Sequence, residues 1–296
     1  MASTSGIPLE EQLRQAQLPA LPQSAIHLLE LSRNPDNGPA EYAVPIEADP
    51  GLAGQILRFV NSSFFGFRTE VTSVRLAINL VGVRTIRNFA LWSAVFGLLP
   101  TMRHGTFKIK HLWQDSLRRA LFARQLGRRL GADNEEDLFT AALLQDLSVP
   151  ILLKEIGEPY AELIDRLPNE GHRLSELEQE RFGWTHADAG AIIARRWKLP
   201  ESLVRLIEGH ATVDPRWGHG RATVGQLAVS LSAILPASVH DGWREKGEFL
   251  RVFSQLPPTR GNPDEFFVAL DKDMAQFSSL LKLTVPSRPL VSYLID

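Results

Sequence analysis

Apolar residues recur along this chain at spacings of three and four, and no stretch alternates apolar with polar residues convincingly enough to read as a strand. A chain patterned in this way buries one stripe of each segment against another helix, which predicts an all-α fold built as a multi-helical bundle. Proline and glycine mark where one helix gives way to the next, as at Asn34-Pro-Asp-Asn-Gly38, Leu199-Pro200 and the loop from Pro257-Pro258 to Gly261-Asn262.

Helix starts are written locally. Asp49-Pro50 reads as a capping carboxylate followed by proline at the first helical position, opening a helix that ends at Asn61-Ser62. Thr72-Ser73 caps the next helix, which Gly82 stops. Pro45 is expected to kink or delay a short helix from Pro39 to Ala48, because proline lacks the backbone donor. Val83 to Leu99 is apolar on nearly all sides and predicts a buried helix ended by Pro100. A long amphipathic helix follows between Lys108 and Gly131, with Arg118, Arg119, Arg128 and Arg129 expected in solvent. Glu135 to Lys154 reads as a helix broken near Asp146-Leu-Ser-Val-Pro150, and later helices are expected at Leu174–Phe182, Thr185–Lys198, Pro200–His210, Ala222–Leu235, Asp241–Phe253 and Pro263–Leu283.

At 296 residues the chain can bury a large core, and its 44% apolar and 22% charged content is that of an ordered globular protein. The formal charge of −2 gives no overall attraction to nucleic acid or anionic lipid. There are no cysteines, which removes disulfides, thiolate metal sites and thiol nucleophiles. No signal-peptide pattern opens the chain and nowhere do about 18 apolar residues follow one another, so a cytoplasmic protein without a membrane partner is expected. No phosphate-binding Gly-Lys-Ser/Thr loop, strand-flanked glycine fingerprint or Gly-x-Ser-x-Gly elbow is present.

Three stretches taken together resemble the HDOD family, relatives of the HD-domain phosphohydrolases found in bacterial signalling proteins. They are Leu18-Pro-Ala-Leu-Pro22, Asp49-Pro-Gly-Leu-Ala-Gly-Gln-Ile-Leu-Arg-Phe-Val-Asn-Ser62 continuing into Phe65-Gly66 and Val71-Thr-Ser-Val74, and Ala77-Ile-Asn-Leu-Val-Gly82. The resemblance implies an N-terminal set of short helices packed on an HD-like helical half. The expected divisions are a tail with a short helix at 1–17, the N-terminal subdomain at 18–106 with its seam at Gly105-Thr106, the HD-like subdomain at 107–235 and a helical extension at 236–296.

It also implies where metal ligands would stand. An HD hydrolase uses histidines and aspartates to hold divalent iron, manganese or magnesium beside a reactive water. Here Asp115 stands where the first histidine is expected, Gln145 replaces the histidine of the His-Asp pair, Asp146 is kept, His186 and His210 are kept, and Val229 falls where a late aspartate belongs. Each retained residue also has an ordinary reading: Asp115 as an exposed acid, Asp146 as a turn cap, His186 as a first-turn hydrogen-bonding residue and His210 as a group at a helix end. The losses predict no catalytic residue and no cofactor, with a reduced site of Asp115, Asp146, His186 and His210 for a single iron or manganese ion as the alternative.

The functional expectation is a non-catalytic regulatory module acting on a signalling protein partner, with a metal-dependent phosphohydrolase as the alternative. Trp184, Trp197, Trp217 and Trp243 are candidate interface anchors, although tryptophan is more often core than surface. Arg84, Arg87, Arg118, Arg119, Arg128, Arg129, Arg195 and Arg196 are the candidates for a nucleic-acid surface, and solvated helix faces explain them more simply.

Overall fold

The computed structural model describes residues 9–16, 18, 20–34, 36–98, 103–104, 107–170, 172–213, 223–238, 242–256, 263–280 and 283–295. Its elements run α1 (Leu9–Gln15), α2 (Gln23–Leu31), α3 (Pro39–Glu47), α4 (Pro50–Val60), α5 (Val74–Val81) and α6 (Val83–Leu98). A two-residue ladder pairs β1 (Arg103–His104) antiparallel with β2 (Phe107–Lys108). There follow α7 (Ile109–Arg129), α8 (Glu135–Leu144), α9 (Ser148–Ile156), α10 (Glu158–Glu170), α11 (Leu174–Phe182), α12 (His186–Arg196), α13 (Glu201–Gly209), α14 (Val224–Ala233), α15 (Lys246–Phe253), α16 (Pro263–Leu280) and α17 (Ser292–Ile295). The fold is all-α, as the periodicity requires. No helix among the described residues is long and apolar enough to cross a membrane.

The starts of α4 and α5 follow the cap chemistry. Asp49 accepts from the Leu52 amide at 3.0 Å with one oxygen and from the Ser24 hydroxyl at 2.9 Å with the other, so one carboxylate caps α4 and ties it to α2. Ser73 caps α5 by accepting from the Leu76 amide. Asn61 closes the loop between them: its amide exchanges two hydrogen bonds with the Val71 backbone, at 2.8 and 2.7 Å. Helices α2 to α6 pack on one another, and α6 carries them onto α8.

Helix α7 is the axis of the other half, packed along α8, α14 and α16. The close approach of α7 and α8 depends on Gly127, since a Cβ there would lie 2.4 Å from a Leu138 methyl. The C-terminal residues fold back on α7: Gln114 donates to Thr284, and the buried Arg118 donates to the carbonyls of Pro236 and Arg288.

Several expectations change. Arg118 is buried, and Arg119 is largely covered and ion-paired, because α7 is enclosed nearly all round and not amphipathic in the simple sense. Helix α6 buries one face, with Val83, Trp92, Phe96 and Leu98 only partly covered. Pro150 does not make the break after α8. The chain breaks at Gln145–Leu147, and Pro150 sits in the first turn of α9, where its missing donor costs no helical bond. Helix α10 has no counterpart in the sequence reading. Pro100, Gly105-Thr106, Trp217 and the loop from Pro257 to Asn262 lie outside the described residues.

Candidate functional site

The turn between α8 and α9 carries Asp146, the first residue of α12 is His186, and His210 caps the C-terminal end of α13. Local chemistry brings them together. Gly183 ends α11 with φ of 77°, a conformation open to glycine at little cost. This lets the chain reverse, and Thr185 then caps α12, its amide donating to Asp188 at 2.7 Å. The Ser148 hydroxyl donates to the His186 carbonyl at 2.6 Å and fastens the start of α9 to the start of α12.

Three atoms converge. Asp146 Oδ1 lies 3.3 Å from His186 Nε2 and 3.4 Å from His210 Nε2, and the two Nε2 atoms are 3.0 Å apart. All three residues are buried. The outer nitrogen of each imidazole is committed: His186 Nδ1 lies 2.7 Å from Glu178 Oε2, and His210 Nδ1 lies 2.5 Å from the Ile207 carbonyl.

These contacts fix the protons. A carbonyl only accepts, so His210 carries its hydrogen on Nδ1 and, when neutral, presents a lone pair at Nε2. His186 donates to Glu178 through Nδ1, and its Nε2 faces two acceptors, the Asp146 carboxylate and the His210 lone pair, a setting that favours the imidazolium. The electrostatics agree. Burial opposes charge on His186, but the Glu178 carboxylate, aided by Asp146, outweighs it and raises the group to about 10. Burial and the neighbouring His186 cation lower His210. Burial would raise Asp146, yet Arg119 and the His186 imidazolium hold it well below the usual carboxylate range.

Glu178 and Arg119 complete the centre. Glu178 is fully buried, accepts from the His186 amide at 2.8 Å and from the Tyr160 hydroxyl, and orients the imidazole as carboxylates do behind metal-bound histidines. Arg119 donates through Nη1 to Asp146 Oδ2, the oxygen turned away from the histidines. Two cations, Arg119 and His186, thus face two anions, Asp146 and Glu178. Sequence reasoning missed both Glu178 and Arg119. The sole hint of Arg119 was its i,i+4 spacing from Asp115 on α7, and Glu178 had none beyond its place beside the apolar Leu177.

Asp115 stands apart. Its Oδ1 accepts from the Ser238 amide at 2.7 Å, and burial raises its pKa despite Arg119 and Arg118 nearby. The group of mutually close ligand atoms consists of Asp146, His186 and His210 without it. Gln145 is fully buried, and neither of its amide atoms has a hydrogen-bond partner among the described residues. Val229 is buried in α14 and offers no donor.

This donor set fits one divalent ion. Ligand atoms about 2.1 Å from a metal stand roughly 3.0–3.4 Å from one another in octahedral or tetrahedral geometry, and two imidazoles with one carboxylate are the facial ligand set of many mononuclear centres. It does not fit two, since Asp146 Oδ2 is taken by Arg119 and the Asp115 carboxylate is turned to Ser238. The centre opens into a cleft of 690 Å³ lined by Arg119, Asp146, His186 and His210, with Arg173 and Arg244 also on its lining.

The arginines considered for nucleic acid are otherwise engaged. Arg84 donates to the Asp133 carbonyl, Arg87 to Asn88 and Asp137, Arg195 to Glu201 and Glu208, and Arg196 to the Leu13 carbonyl. Arg128 faces Glu135 at 3.9 Å and Arg129 lies over the Phe266 ring. Of the tryptophans, Trp197 and Trp243 are buried and Trp184 is partly so.

Fold and site together define an all-helical protein with a buried His-His-Asp centre. The HDOD domain model matches residues 18–213, and the chain belongs to the HDOD family. Its structure is similar to an HDOD domain protein of unknown function from Geobacter sulfurreducens, with a TM-score of 0.71 and 19% identity over 94% of this chain and 97% of that one. A candidate phosphohydrolase from Shewanella amazonensis SB2B gives a TM-score of 0.62 and 22% identity over 97% and 93% of the two chains. A candidate signal transduction protein from Marinobacter aquaeolei VT8 gives 0.68 and 19% over 97% and 66%. In sequence, an uncharacterized protein of Treponema pallidum (strain Nichols) is 27% identical over 204 residues, 65% of this chain and 37% of that protein. The chain thus spans under half the length of that relative.

Proposed function

We propose that this chain is a non-catalytic signal-transduction module of the cytoplasm that acts by binding a signalling protein partner. The observation that carries the reading is the ion pair between Arg119 and Asp146 Oδ2. With it, the buried centre is charge-balanced on its own side chains, and the oxygen that a second metal would need is occupied. Asp115, Gln145 and Val229 supply no replacement, so the two-metal chemistry of an HD hydrolase has no donors to rest on.

A second reading is favoured by the separations of 3.0–3.4 Å among Asp146 Oδ1, His186 Nε2 and His210 Nε2. It is a phosphohydrolase with a single iron or manganese ion held by those three residues. When bound, the ion would supply a Lewis acid and an acidified water. Glu178 would orient His186, and Arg119 would stay on Asp146.

Metal content and turnover separate the two. Protein purified without chelator is expected to hold less than about 0.1 metal per chain and to leave bis(p-nitrophenyl) phosphate intact with added manganese or iron. One ion per chain, with turnover that disappears in His210→Ala, would overturn the non-catalytic reading.

A further inference from the structure

Arg119 uses one nitrogen, Nη1, on Asp146, and among the described residues that is its one hydrogen bond. Guanidinium carries five N–H groups in a planar fork, so one edge is anchored while the rest can address a ligand. The side chain is 17% exposed, and that exposure opens into the 690 Å³ cleft. Two more arginines line the same cleft. The Arg173 side chain has no hydrogen-bond partner among the described residues, and Arg244 is braced on the carbonyls of His172 and Leu167. Against these three cations the lining carries two carboxylates, Asp146 and Glu245, and Asp146 is already matched by Arg119.

The remaining wall is apolar, with Phe107, Leu112, Leu174 and Trp243 among its members. The volume lies within the range of small-molecule sites, about 300–1,000 Å³. A largely covered cation fixed on Asp146, two more arginines on the same lining and an apolar wall describe a receptor for a molecule with a doubly charged oxyanion at one end and an apolar body at the other.

We propose that this cleft is a metal-independent receptor site for a phosphomonoester, with Arg119 as the anchor of the phosphate group and Arg173 as its second contact. The inference rests on the non-catalytic reading in one respect: the ligand leaves intact, as the input of a signalling module and not its substrate. Arg119 can serve because Asp146 holds its guanidinium in place before any ligand arrives, which removes most of the ordering cost of an arginine side chain. Charge-assisted, bidentate contacts from guanidinium to phosphate are among the stronger polar interactions available.

The test titrates inorganic phosphate, then a nucleoside monophosphate, into the full chain in buffer containing chelator. Binding is read by thermal shift and by the side-chain Nε–H signals of arginine in NMR spectra. The expected result is saturable binding, with sulfate competing and acetate at least about tenfold weaker. Arg119→Gln and Arg173→Gln are each expected to weaken phosphate at least about tenfold, and Arg195→Gln, on a surface pair with Glu201 and Glu208, to leave it unchanged. Arg173→Gln keeps the proposal falsifiable should Arg119→Gln fail to fold, because Arg173 is half-buried and braces nothing described. No saturation by about 50 mM phosphate, or equal affinity in the wild type and Arg173→Gln, overturns it. Release of phosphate from the nucleotide would leave the binding site standing and remove the non-catalytic reading, so the two fail separately.

Discussion

His186 Nε2 and His210 Nε2 stand 3.0 Å apart in the buried centre, and both face Asp146 Oδ1, at 3.3 and 3.4 Å. The pair is asymmetric because their outer partners differ. Glu178 is a carboxylate and holds a cation, whereas the Ile207 carbonyl asks for nothing beyond a neutral N–H.

This asymmetry makes stability depend on pH in a definite direction. The folded His186 titrates at about 10, above the unfolded value near 6.5, so its contribution is full below about pH 6.5 and is lost as pH rises through 10. The denaturant midpoint is expected to fall between pH 7 and 10 more steeply in the wild type than in His186→Gln. Parallel slopes in the two proteins would remove His186 as the source.

Glu178 is the residue that holds the cation. Glu178→Gln keeps the shape and an acceptor oxygen but removes the charge, leaving His186 buried with half of its compensation. A loss of about 3 kcal/mol is expected, the scale for breaking a buried pair from one side. In NMR titration His186 should move down from about 10, since Glu178 is the largest of the influences that raise it. An unchanged titration with lowered stability would assign Glu178 to packing alone.

What the sequence made legible was set by local chemistry. Asp49 and Ser73 sit directly before the helices they cap, and a cap acts within three residues, so short-range reading suffices. Asp146, His186 and His210 came from resemblance, because their convergence spans 64 residues that no periodicity relates. Arg119 was read as solvated since arginine in a helix ordinarily is, and only the enclosure of α7 by α8, α14 and α16 overrules that. Helix α10 was hidden by Gly157 and Pro159, which look like breakers. Pro159 lies in the first turn, where a helix tolerates it.

Gly127 offers a test of packing against propensity. In an open helix Gly→Ala gains about 1 kcal/mol. Here the new Cβ meets a Leu138 methyl at 2.4 Å, and the other methyl of Leu138 already lies 3.0 Å from where a Cβ on Gly225 would sit. Leu138 lies between the two glycines and is fully buried in the core. Gly127→Ala is therefore expected to destabilise by about 1–3 kcal/mol in chemical denaturation, the range for overpacking. A gain would show that α8 slides easily along α7.

Asn61 gives the corresponding test in the N-terminal half. Its side chain pairs with both backbone groups of Val71 as a neighbouring strand would, and this closes a ten-residue loop over the aromatic cluster of Phe59, Phe64 and Phe65. Asn61→Asp keeps the acceptor for the Val71 amide and loses the donor to its carbonyl, whereas Asn61→Ala loses both. Each unmade bond to a partly buried backbone group costs about 1 kcal/mol, so the losses should run near 1 and 2 kcal/mol in that order. Hydrogen exchange at the Val71 amide should accelerate in Asn61→Ala and stay close to wild type in Asn61→Asp. If both variants accelerate it equally, the loop is held by the phenylalanine rings and the amide clasp contributes little.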